Sequence, residues 1–154
     1  MAFSIHFESF EKISNHYRQL AEGVKNVVRD TARTLIIRAE RLAKERVRST
    51  TRKPKMGKGK YFRSIESSFI DGEGAFTLKL ESNSPVAKII EFGSRPHIIR
   101  PKGNKLLFWP GAKHPVKQIK HPGTPAFRVL GEAAEEAGED TAKIFESVLK
   151  RKFN

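Results

Sequence analysis

The chain has 154 residues, 38% of them apolar, with 30 Lys+Arg against 17 Asp+Glu, a formal charge of +13 and no cysteine. That length suits one domain, 1–154, with a core of two packed layers. The missing cysteines exclude disulfide scaffolds, thiolate zinc sites and cysteine nucleophiles, and no apolar run reaches the roughly 18 residues a membrane-spanning helix needs.

The first segment, FSIHF at Phe3–Phe7, alternates apolar and polar residues and predicts a short strand. MAFSIHFESFEK also sets acidic residues where a secretory signal has basic and apolar regions, so no such signal is expected. Ile13, Tyr17, Leu20, Val24, Val28, Ala32, Leu35, Ala39 and Leu42 then recur at an average step of about 3.6 residues. This is the period of a straight helix and not of a heptad seam. The helix is expected from about Ser9, as N-cap, to about Arg48, with Gly23 its weak point.

At Ser49 the periodicity stops. STTRKPKMGKGK has Pro54, Gly57 and Gly59, no acid and almost nothing apolar. Such a segment buries too little surface to offset the entropy of ordering it, so 49–60 is read as a mobile basic loop. Arg52, Lys53, Lys55, Lys58 and Lys60 make it a candidate contact for DNA or a protein partner.

YFRSIESSFI and AFTLKLES flank Asp71-Gly72-Glu73-Gly74 and predict a β-hairpin. VAKIIEFGS predicts a short helical piece with Gly93 near its end. HIIRP and KLLFWP, joined by Lys102-Gly103-Asn104, predict a second hairpin whose strand ends are marked by Pro96, Pro101 and Pro110. The last helix is expected from Pro125 to about Lys152, on a stripe of Phe127, Leu130, Ala134, Ala137, Thr141, Phe145 and Val148. Its acidic start and basic end suit the helix dipole. The fold class is α+β: two antiparallel hairpins packed with a long N-terminal helix and a C-terminal helix.

The inventory for catalysis is thin. His97, His114 and His121 fall in one half of the chain, yet each adjoins a proline and no Asp or Glu lies between Phe92 and Gly131. A histidine metal site without a supporting carboxylate is disfavoured. Glu91 stands alone in IIEFG and is read as an element end paired with a basic neighbour. No G-x-S-x-G elbow or G-x-x-x-x-G-K-[ST] phosphate loop occurs. We expect no enzyme activity, no metal and no cofactor.

Positive charge is better organised. Besides the loop, Arg95, Arg100, Lys102, Lys105, Lys113, Lys117, Lys120 and Arg128 are unopposed, with Phe108 and Trp109 among them. This pattern fits sequence-independent contact with phosphates. The stretch HPGTPAF, which follows, reads in two ways. A glycine-threonine turn opening a helix is an anion site; Thr124 as N-cap with Pro125 as first helical residue is a plain helix start. Without a catalytic partner nearby, the cap is the reading adopted.

Ala87, Glu91, Phe92, Gly93 and Ser94, then His97, Ile99 and Pro101, the strand Leu106-Leu107-Phe108, and His121, Pro122, Gly123, Thr124, Pro125 and Phe127 occur in one order and spacing. Over roughly Lys58 to Leu130 this resembles the tailed-bacteriophage minor tail component, or head–tail joining (neck, tail-completion), family. The resemblance implies a virion structural protein without catalysis, made in the host cytoplasm. It would form a ring at the neck around the DNA channel, between portal-adaptor proteins and the tail terminator or tail tube, with no membrane partner. A ring needs head-to-tail interfaces. The basic face with Arg95, Arg100, Lys102, Lys105 and Trp109 is the expected complement of Glu132, Glu135 and Glu136 on a neighbouring subunit. The alternative is a sequence-independent nucleic-acid-binding module.

Overall fold

The computed structural model describes residues 8–49, 59–72, 75–103 and 105–153, with side chains from residue 12 onward in the first range. The strand expected at Phe3–Phe7, the side chain of Ser9, and Arg52, Lys53, Lys55 and Lys58 of the basic loop lie outside the described residues. The architecture is α+β as expected.

Helix α1, Glu8–Ser49, is one unbroken helix of 42 residues, about 63 Å long at 1.5 Å per residue. Gly23 does not interrupt it. A side chain there would meet the ring of Phe153 at 3.1 Å, so this glycine makes room for the end of the chain. A turn of helix, α2 (Lys60–Arg63), leads into the hairpin of β1 (Ile65–Asp71) and β2 (Phe76–Ser82). The strands pair antiparallel, with Ile65 opposite Ser82 and Asp71 opposite Phe76. Tyr61–Arg63, expected as the start of a strand, is instead helical. Ser64 closes that turn through its backbone N–H and its hydroxyl, which donates to the Tyr61 carbonyl at 2.7 Å, and Tyr61 is carried into the core.

Helix α3 (Ala87–Phe92) follows, ended by Gly93 at φ +73°. Next come β3 (His97–Ile99) and β4 (Ile119–His121), then α4 (Val129–Glu139) and α5 (Thr141–Phe153). The second hairpin is a correction. HIIRP does not pair with KLLFWP; His97, Ile98 and Ile99 pair with His121, Lys120 and Ile119. Leu107 pairs instead with Val116, and Ser94 with Thr124. One antiparallel ribbon thus runs from Ser94 and Thr124 outward. Gly111, at φ +96°, lies between Leu107 and Val116, so the apolar run KLLFWP turns back on the residues just after it.

The last helix is also corrected. Pro125–Arg128 stays outside the helix because its backbone is held by α3, Phe127 N–H donating to the Ile90 carbonyl at 2.8 Å. Arg128 takes a left-handed conformation (φ +45°). The helix starts only at Val129 and is divided at Asp140, which pairs with Arg38 of α1.

α1 is the spine against which β1, β2, α4 and α5 pack. The core gathers Ile36, Ala43 and Val47 from α1 with Tyr61, Ile65, Ile90, Val129 and Ala133. The expected stripe on α1 is therefore only half right. Ala32, Ala39 and Leu42 are buried, but Ile13 (52% exposed), Tyr17 (66%) and Leu20 (46%) are not. On the last helices Ala137 and Val148 are buried as expected, while Ala134 and Thr141 are exposed. Cations of α1 cover aromatic rings of β1 and α2, with Arg33 4.9 Å from the centre of Phe69 and Arg48 4.8 Å from that of Phe62.

Candidate functional site

The sequence blocks E-F-G and H-P-G-T, about thirty residues apart, form a single joint. Ser94 and Thr124 exchange backbone hydrogen bonds of 2.8 and 3.1 Å, and the Ser94 hydroxyl accepts a further one from Thr124 N–H at 3.0 Å. Both glycines are needed for this approach. A Cβ on Gly93 would sit 2.5 Å from the Thr124 carbonyl oxygen, and one on Gly123 (φ +91°) 2.3 Å from that of Ser94. Only glycine takes this backbone without strain. Gly123 N–H donates to His121 Nδ1 at 3.0 Å.

Glu91 is the centre of the joint. Its two carboxylate oxygens accept from Leu130 N–H at 2.9 Å and Gly131 N–H at 2.8 Å. These are first-turn donors of α4, which have no partner within the helix. Glu91 therefore caps α4 from a distance of some forty residues in sequence. The negative charge suits the positive end of the helix. The expected ion pair at an element end is replaced by this cap. Thr124 is not the N-cap and Pro125 is not the first helical residue; Thr124 belongs to the ribbon, and the cap comes from another helix. Phe127 packs against the core beside this joint, as expected of it, whereas Phe92 is exposed and Pro122 lies at the exposed ribbon base.

Beneath the joint is Tyr61, 3% exposed, whose hydroxyl has no hydrogen-bond partner among the described residues. Burial, then the charge of Glu91, push its phenol up to about 12.

The ribbon carries the candidate basic surface. Arg95, Arg100, Lys102, Lys105, Lys113, Lys117 and Lys120 are all exposed, with no acidic residue between Gly93 and Thr124. Trp109 (42% exposed) and Phe108 (67%) lie on the same projection. β3 and β4 make their main contacts with each other. Arg100 donates to Gln118 at 3.2 Å, extending the ribbon register. Lys60, the one described cation of the candidate loop, is exposed at the start of α2.

The acidic residues assigned to a neighbouring subunit are engaged within the chain. Arg46 holds Glu132 at 2.5 Å and Glu136 at 2.8 Å, and Arg128 holds Glu135 at 2.6 Å. The interface expected between Glu132, Glu135, Glu136 and the basic face therefore loses its acidic half to internal ion pairs. Sequence reasoning did not single out Arg46. The signal was its helical spacing with Ala39 and Ala43, which turns it toward α4.

His97 and His121 stand across the ribbon with ring centres 5.0 Å apart. Among the described residues no group of three or more His, Asp or Glu side chains could hold a metal, and no helix is long and apolar enough to cross a membrane. No protein-family model, curated protein or solved structure matches this chain.

Proposed function

We propose that this chain is a structural subunit of a tailed-bacteriophage virion that assembles as a ring at the head–tail neck, around the channel through which the genome passes. One observation carries the reading. The three blocks on which the resemblance rests, E-F-G, P-H-I-I-x-P and H-P-G-T, are a single hydrogen-bonded joint with a projecting ribbon, although the chain separates them. A motif set that builds one device is better support than matches scattered over a surface. The ribbon is the part that reaches outward, to a neighbouring subunit, a portal-adaptor protein or the tail terminator. Its backbone edges suit β-augmentation. The function needs no catalytic group.

A second reading is favoured by the acid-free ribbon with its exposed Phe108 and Trp109: sequence-independent binding of nucleic acid. Charge contacts of this kind weaken steeply with salt.

Genetic complementation tests the first reading. A phage lacking this gene should accumulate filled heads and unattached tails, and supplying the chain in trans should restore joined particles. Normal infectious particles without the chain would refute it. For the second reading, fluorescence anisotropy with a random duplex should give affinity that falls linearly with salt on logarithmic axes. Arg100→Glu with Lys102→Glu should then remove about two units of that slope.

A further inference from the structure

The first third of α1 stands clear of the body. Every described side chain from residue 12 to residue 22 is exposed, and the apolar series Ile13, Tyr17, Leu20, Val24 and Val28 is at least 40% exposed throughout. A separate apolar feature opens beside the core. A groove of about 470 Å³ between α1, β2, α4 and the start of α5 is lined by Leu35, Ala39, Leu78, Leu130, Ala134 and Thr141, among others. We infer that the projecting first third of α1 from one copy of this chain lies in this groove of a second copy.

Three observations single out a second copy. The first is geometric: Leu35 and Ala39 of the groove belong to the same unbroken helix as Ile13–Val28, so a chain cannot fold this segment into its own groove. The second is fit. The exposed stretch from Ile13 to Leu20 is about 11 Å long, and the α4 wall of the groove from Leu130 to Gly138 about 12 Å. An amphipathic helix in an apolar groove is a common recognition mode. The third is charge. Arg18 and Lys25 flank the stripe and are exposed, while Glu139, also exposed, lies on the α4 side of the groove.

The contact joins two different surfaces, so repetition propagates it into a closed ring or a filament, and only a reciprocal exchange closes it as a dimer. The inference rests on the ring reading for its biological use but not for its chemistry.

The chain has no cysteine, so single cysteines report the contact directly. Leu20→Cys and Ala134→Cys chains, mixed under oxidising conditions, should form a disulfide-linked pair. Leu20→Cys mixed with Lys117→Cys, an exposed ribbon position, should not. In sedimentation velocity, Leu20→Asp should weaken self-association at least about thirtyfold, with an unchanged circular dichroism spectrum because Leu20 lies outside the core. Equal cross-linking of the two mixtures overturns the inference, as does a wild-type chain that stays monomeric at every concentration. Self-association unaffected by Leu20→Asp overturns it too, yet leaves a ring through another surface standing. A cross-linked closed dimer supports the seat and removes the ring.

Discussion

Replacing Glu91 by alanine tests whether the two ends of the ribbon and the start of α4 form one device. The carboxylate accepts from Leu130 and Gly131 N–H at 2.9 and 2.8 Å in a part-buried setting. A hydrogen bond to a charged group is worth about 1.5–3 kcal/mol, and a helix cap about 0.5–2 kcal/mol. Because both bonds form one cap, the terms overlap, and the expected loss is about 3 kcal/mol. For a chain of this size that lowers Tm by roughly 6–12 °C. Glu91→Gln keeps an acceptor but loses the charge and should cost about 1 kcal/mol. Urea unfolding followed by far-UV circular dichroism and by fluorescence of Trp109, the single tryptophan, measures both. Trp109 reports the ribbon and circular dichroism the helices, so a shared joint requires coincident transitions displaced together. A Glu91→Ala chain within about 0.5 kcal/mol of wild type would refute the capping argument. Separate transitions for the two probes would refute the single device.

Other positions make independent claims. Gly123→Ala and Gly93→Ala should each destabilise by more than about 3 kcal/mol, whereas Gly103→Ala, also at positive φ but with nothing within 4 Å, should cost only about 1–2 kcal/mol; thermal unfolding of the three variants compares them. Tyr61 holds its proton to about pH 12 in the folded chain and to about 10 when unfolded. Its contribution is therefore whole below pH 10 and is lost as pH rises toward 12. Tyr61→Phe should flatten the fall in stability over that interval, and should be neutral to about 1 kcal/mol stabilising at pH 7 because it removes an unpartnered buried hydroxyl. Arg46→Ala should destabilise by about 1–2 kcal/mol through its pairs with Glu132 and Glu136, with a smaller difference in high salt; chemical denaturation at two ionic strengths checks both.

The long helix, the first hairpin and the short α3 were legible because each is announced locally, by a 3.6-residue period, by alternation across a glycine turn, or by a glycine at positive φ. What was not legible depended on pairing at a distance. KLLFWP has the composition of a partner for HIIRP, but strand pairing is decided by register, and the Ser94–Thr124 bridge fixes that register from outside both segments. Thr124-Pro125 likewise has the composition of a helix start. The actual cap, Glu91, lies outside any local window. Half of the apolar stripe on α1 misled for a related reason: periodicity shows which face is apolar, not how far along the helix the rest of the chain reaches. Of the candidate interface, the exposure of the ribbon cations was legible from the missing acids, while the engagement of Glu132, Glu135 and Glu136 was not, since Arg46 is some ninety residues away.

The ribbon leaves the body at Ser94 and returns to it at Thr124, so both its ends are nailed to the same point. Length added near its tip, where Gly111 meets nothing within 4 Å, lengthens a loop whose anchors do not move. Doubling such a loop costs only about 0.6 kcal/mol in closure entropy. The body is thereby indifferent to the reach of its own projection: how far the chain extends toward a partner can change while the joint that carries it stays fixed.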